Sequence, residues 1–100
     1  MPKSSFRSII DSPTPTLIDF YATWCGPCKA FSPTLEQLKK NVGDKARIIK
    51  IDIDKNNALA GKLNVKSVPT IMIYKDGKQI WRASGGQTLG FLEKQLSELY

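Results

Sequence analysis

Histidine is missing from this sequence, and cysteine occurs only twice. Without histidine there is no imidazole base for a Cys–His hydrolase. Two cysteines alone do not complete a structural zinc site, which takes four ligands, usually Cys or His. Long apolar runs are missing too. No stretch approaches the roughly 20 apolar residues of a membrane-spanning helix. The start, Met1-Pro2-Lys3-Ser4-Ser5-Phe6, is charged but lacks the apolar run of a signal peptide. With Met1 in place the reading is a cytoplasmic protein that does not enter a membrane. Internal repeats, low-complexity tracts and linkers are also absent. The 100 residues, 1–100, make one domain with a single modest core.

The net charge of +6 is spread thinly, and Lys39-Lys40 is the only adjacent basic pair. No basic stripe is interleaved with aromatics, which argues against nucleic acid as a partner. A field of this sign favours acidic partners, or simply reflects a solvated surface.

What is present is Trp24-Cys25-Gly26-Pro27-Cys28-Lys29. Two cysteines three apart can be brought together by one helical turn, and such a dithiol can close to a disulfide and reopen. The motif follows an apolar run, Thr16 to Ala22, whose nearly continuous character suits a central strand covered on both faces. The residues before it predict a short helix capped by Ser4 or Ser5 and running to about Asp11, then a break at Ser12-Pro13-Thr14-Pro15. After the cysteines a helix is predicted from Cys25 or Gly26 to about Asn41. Its apolar residues are Phe31, Leu35 and Leu38, Pro33 bends it, and Gly43 closes it.

Arg47 to Ile53 reads as a second strand, completing a parallel, right-handed βαβ unit. Asn56 is placed to cap a short helix around Leu59, Ala60 and Leu63. Thr70 to Lys75 reads as a third strand, joined through Asp76-Gly77 to an antiparallel fourth, Lys78 to Ala83. Gly85-Gly86 leads out. Thr88 caps a last helix with Leu89, Leu92, Leu96 and Leu99 as its buried stripe. The fold class is α/β: a mixed central sheet of four strands with helices on both faces. The cysteines lie at the carboxyl end of the first strand, where open α/β sheets place their sites.

These residues carry a resemblance. Phe20-Tyr21-Ala22-Thr23-Trp24-Cys25-Gly26-Pro27-Cys28-Lys29, the in-helix Pro33, Val68-Pro69-Thr70, Lys75-Asp76-Gly77 and Gly85 resemble, in order, the landmarks of the thioredoxin family. The likeness runs over nearly the whole chain. It departs in two places: Tyr21 stands where a tryptophan is common, and few residues precede the first helix. A fifth, N-terminal edge strand therefore has little chain to form from.

The attacking species in thiol–disulfide exchange is the thiolate. Cys25, at the start of a helix, meets unpaired N–H groups and the positive end of the dipole. It is assigned as the exposed nucleophile, with Cys28 as the buried resolving thiol. A purely stabilising disulfide is the plainer alternative, but a loop this short adds little stability. Gly26 lets a partner backbone approach, and Pro27 suits a first helical turn. No histidine or charge lies between the cysteines to stabilise the thiolate further, so the resemblance implies a reductant.

Asp19 interrupts an apolar strand. It is either an outward-facing acid or a buried carboxyl beneath the dithiol, and the resemblance implies proton transfer with Cys28. Lys50 is either a solvated lysine or, as the resemblance implies, a neighbour that tunes Asp19. The resemblance also implies a cis bond before Pro69, which would present the Val68 backbone to an extended peptide. Trp24, Gly26, Pro27, Val68, Pro69 and Gly85 would then form the substrate-docking surface. For Trp24 the alternative is core packing, and for Gly85-Gly86 a simple turn. Trp81 reads as core or edge packing.

The function implied is a protein-disulfide reductase, a small electron carrier working as a monomer without a bound cofactor or metal. Its electrons would come from NADPH through a thioredoxin reductase. Its partners would be disulfide-containing proteins such as ribonucleotide reductase, peroxiredoxins and methionine sulfoxide reductases. The alternatives are an exported reductase with a narrow client set and a binding subunit that does not turn over.

Overall fold

The structure, a computed structural model, describes residues 3–100. Met1 and Pro2, which belong to the charged start, lie outside the described residues. The elements run α1 (Lys3–Ile10), β1 (Thr16–Tyr21), α2 (Gly26–Val42), β2 (Arg47–Asp52), α3 (Asn57–Lys62), β3 (Thr70–Lys75), β4 (Lys78–Ser84) and α4 (Leu89–Ser97). The strands form one sheet in the order β2-β1-β3-β4. β1 and β2 are parallel, while β3 is antiparallel to both β1 and β4. No fifth strand occurs among the described residues, and β2 is an edge.

β1 and β3 are the central strands, and five of the six residues in each are buried. Alternate side chains feed two separate layers. Leu17, Ile71 and Ile73 pack under α2 and α4 with Phe31, Leu35, Leu38, Leu92 and Leu96. Ile18, Phe20, Met72 and Tyr74 pack on the other face, with Phe6 and Ile10 of α1 and Leu59 of α3. Each such side chain, fully buried, contributes about 1.5–3 kcal/mol. A central strand with both faces covered cannot move without opening both layers, so its carboxyl end is a firm base for a site.

The local signals mostly act as the chemistry requires. Asp76 (φ 53°) and Gly77 (φ 79°) both take positive φ, the two-residue turn that matches strand twist. The Phe91 N–H donates to Thr88 Oγ1 at 3.2 Å, capping α4. Two expected caps are not formed. α1 already begins at Lys3, so Ser4 and Ser5 lie within it. Asn56 stands at the N-cap of α3 without a side-chain cap bond. Its Nδ2 donates instead to Asp52 O at 3.0 Å, tying the turn after β2 back to the strand end. Strand ends differ from expectation by a residue: β1 stops at Tyr21 and β2 at Asp52, though the Ile53 N–H still donates to Tyr21 O.

Gly86 has a packing reason that its sequence context hid. A Cβ there would sit 3.1 Å from Phe31 Cδ1, so the chain after β4 presses directly on α2. Trp81 is half-buried against the α2/α4 layer, its ring 5.5 Å from that of Phe91. The guanidinium of Arg82 on β4 donates to Leu63 O and Asn64 O, clasping the carboxyl end of α3.

Candidate redox site

The chain leaves β1 through buried Ala22 and turns at once, the Cys25 N–H donating to Ala22 O at 3.2 Å. Cys25 is the N-cap of α2, in extended conformation at φ −86° and ψ 112°. Its Sγ accepts the Cys28 N–H at 3.1 Å, so the sulfur does the work that a serine or aspartate oxygen does at other helix starts. Pro27 sits in the first turn, where its missing N–H costs nothing. The two cysteines are joined as a disulfide with Cα atoms 5.3 Å apart.

The sequence reading makes Cys25 the exposed sulfur-bearing residue and Cys28 the buried one. The structure corrects this for the disulfide form: Cys25 is 3% exposed and Cys28 5%. Cys25 folds back over the helix start to reach Cys28, and both pack with Ala22 against Tyr21, Ile53 and Val68. The difference between the two lies in electrostatic position rather than burial. Only Cys25 stands ahead of the free amides of the first turn.

The Val68–Pro69 peptide bond is cis, as the resemblance implied. Val68 O lies 3.6 Å from Cys25 Sγ. The Gly85 N–H donates to Pro69 O at 2.8 Å, bringing the Gly85 turn (φ +88°) to the same place. Trp24 is 66% exposed and therefore not core. Its indole N–H donates to Asp54 Oδ2 at 2.8 Å, which fixes the ring beside the dithiol. Asp54 escaped the sequence reading, because an acid just after a strand looks like any turn residue. Gly26 and Pro27 are exposed, and a Cβ on Gly26 or Gly85 would meet nothing within 4 Å. All six docking residues named from the resemblance thus lie around Cys25.

Asp19 is not an outward-facing acid. It is 1% exposed, and its Oδ1 has no hydrogen-bond partner among the described residues. It shares its sheet face with Leu17, the face covered by α2. Burial pushes its carboxyl up from the ordinary 3.8 to about 6, and the charge of Lys50 pulls the other way. Lys50 is Asp19's cross-strand partner. Its Nζ lies 4.6 Å from the centre of the Tyr21 ring. Tyr21 and Lys50 help line a recess that reaches Cys28. A carboxyl with that acidity can hold or release a proton near neutral pH. A second apolar recess, between Phe6, Leu59 and Tyr74, lies toward the hairpin end of the sheet and has no part in this chemistry.

Among the described residues no group of three or more His, Cys, Asp or Glu could hold a metal ion. Nor is any described helix long and apolar enough to cross a membrane.

A family model described as Thioredoxin matches residues 1–98. A thioredoxin-like protein of Synechocystis is 42% identical over 85 residues, covering 85% of this chain and 81% of its own. A thioredoxin of Staphylococcus epidermidis is 45% identical over 84 residues, 84% of this chain and 80% of its own. The oxidised form of mitochondrial thioredoxin 3 from Saccharomyces cerevisiae is a structural neighbour. It superposes with a TM-score of 0.84 at 37% identity, over 95% of this chain and 88% of that one. Thioredoxins need no bound cofactor and act on disulfide-containing proteins. These relatives do not favour the exported narrow-client reductase or the binding subunit without turnover. With its Cys-Gly-Pro-Cys pair at the head of a helix, this chain belongs to the thioredoxin family and is a protein-disulfide reductase working by dithiol–disulfide exchange.

Proposed function

We propose that Cys25 is the attacking thiolate, Cys28 the resolving thiol and Asp19 the proton carrier of this reductase. The observation that carries the reading is the N-cap: Cys25 Sγ receives the Cys28 N–H at 3.1 Å, in the field of the helix start. The Cys25 thiolate attacks one sulfur of a client disulfide. A mixed disulfide forms, and the other client sulfur leaves as a thiolate. Cys28 gives its proton to Asp19 and attacks Cys25 Sγ. The Cys25–Cys28 bond forms, the second client thiolate leaves, and the client has gained two electrons. Lys50 tempers the basicity of Asp19 through its charge.

The client backbone lies extended beside Val68, whose carbonyl already points at Cys25. Trp24, Gly26, Pro27, the cis Pro69 and Gly85 form the rest of that surface. The cycle closes when the disulfide is reduced to the dithiol by two electrons from NADPH, passed on through a thioredoxin reductase, one proton coming with the hydride and the other from solvent. Ribonucleotide reductase, peroxiredoxins and methionine sulfoxide reductases are clients of suitable chemistry. The protein works as a cytoplasmic monomer.

The test is a coupled assay with NADPH, a thioredoxin reductase and insulin as the disulfide substrate. NADPH oxidation that depends on this protein supports the reading, and its absence with an active reductase removes that electron source. The couple itself is expected to be strongly reducing. Gly26-Pro27 puts no histidine or charge beside the sulfurs, so a redox titration should fall near the roughly −270 mV typical of thioredoxins. A value near the roughly −120 mV of strongly oxidising relatives would make the protein a disulfide donor instead.

A further inference from the structure

Asp19 of β1 is paired across the sheet with Lys50 of β2. Tyr21 follows two residues after Asp19 and so projects from the same face. Neighbours of this kind, opposite and diagonal on one face, are close enough to interact. Lys50 is an exposed residue with a flexible four-carbon stem. Its ammonium nevertheless sits 4.6 Å from the centre of the Tyr21 ring, well inside the range of cation–ring attraction. Both side chains line the recess that reaches Cys28.

We propose that Tyr21 is a positioning residue: its ring holds the Lys50 ammonium at the mouth of the recess beside Cys28 and so fixes the field that Lys50 exerts on Asp19. A lysine released into water loses most of that field to screening. Among the described residues, other charges facing Asp19 are few. From β2 there is also Asp52, whose Oδ1 is occupied by the N–H groups of Asp54 and Lys55. α2 supplies Cys28, which is locked in the disulfide, and Lys29 at the recess. β3 supplies only Ile71 across from Asp19, and α4 supplies apolar Leu92 and Leu96. Lys50 is the cation whose charge acts on Asp19, and Tyr21 is what keeps that charge in one place.

The catalytic consequence rests on Asp19 being the proton carrier, but the first measurement does not. It is the titration of the Asp19 carboxyl itself, followed by carbon NMR in the oxidised protein. Tyr21→Leu should raise the midpoint by roughly half a pH unit, as should Lys50→Met. Tyr21→Phe keeps the ring face and should leave it unchanged. Pentafluorophenylalanine at position 21 keeps the shape but reverses the charge of the face, and should act like Tyr21→Leu even where leucine disturbs packing. In the Lys50→Met background, Tyr21→Leu should add nothing. An equal shift with Lys50 absent would mean that the ring acts on Asp19 without Lys50, and the proposal fails. It fails equally if neither Tyr21→Leu nor the fluorinated ring moves the midpoint. The second measurement is the pH profile of mixed-disulfide resolution. If the midpoint moves and this profile stays still, Asp19 is not the proton carrier, while the positioning role of Tyr21 stands.

Discussion

Cys25→Ser is expected to remove disulfide reduction altogether, and Cys28→Ser to stop the cycle one step later with the client attached. A serine hydroxyl is not ionised at neutral pH, so the first variant has no nucleophile. Insulin reduction should fall by on the order of 10³-fold or more, to the background rate. The second variant keeps the attacking sulfur at the helix start and loses only the group that releases it. It should accumulate a one-to-one mixed disulfide with a client, visible by intact mass and discharged by dithiothreitol. The contrast matters because burial does not separate the two residues, at 3% and 5% exposed. If the adduct forms with Cys25→Ser and not with Cys28→Ser, the roles are reversed, and helix-start electrostatics are not what selects the nucleophile.

Asp19→Ala should make the oxidised protein more stable at neutral pH by about 3 kcal/mol, and should flatten its stability against pH. The sign follows from the two acidities. Below pH 3.8 the carboxyl is protonated whether the chain is folded or not, and it costs nothing electrostatically. Between 3.8 and about 6 the unfolded chain ionises while the folded one holds its proton. The unfolded state then binds fewer protons, so stability falls as pH rises. Above about 6 both forms are charged and the loss is complete. That span, at about 1.4 kcal/mol per unit, sets the magnitude. Urea unfolding of wild type and variant at pH 4 and pH 7.5 checks it. The two should differ far more at pH 7.5. A gap that does not widen between the two pH values would mean that Asp19 is not held near pH 6 by burial. A cost of this size at a buried position, with Oδ1 left unpaired, fits a group kept for its proton.

Most of the fold could be read from periodicity and turn chemistry. β3 begins and ends where the apolar run between Pro69 and Asp76-Gly77 begins and ends. α4 starts where Thr88 caps it. Asn56 misled because its amide carries donors as well as the capping oxygen, and here Nδ2 donates to the Asp52 carbonyl while Oδ1 does not reach the helix start. At the site, the dithiol and the cis Pro69 were visible from local motifs alone or by resemblance. The depth of Cys25 was not, since it depends on Val68, 43 residues away, closing over the sulfur. Nor was the Trp24–Asp54 bond, or the Lys50–Tyr21 contact, because each joins segments that only strand pairing brings together.

The sulfur that caps α2 leaves two properties of the molecule inseparable. An atom that anchors the first turn of a 17-residue helix is held in return by that turn. A Cys25 thiolate, the nucleophile proposed above, would draw on the same amides, so by thermodynamic reciprocity whatever frays the segment from Gly26 to Phe31 would withdraw their dipoles and strengthen the protein as an electron donor. Redox poise and helix fraying would then be coupled through one atom.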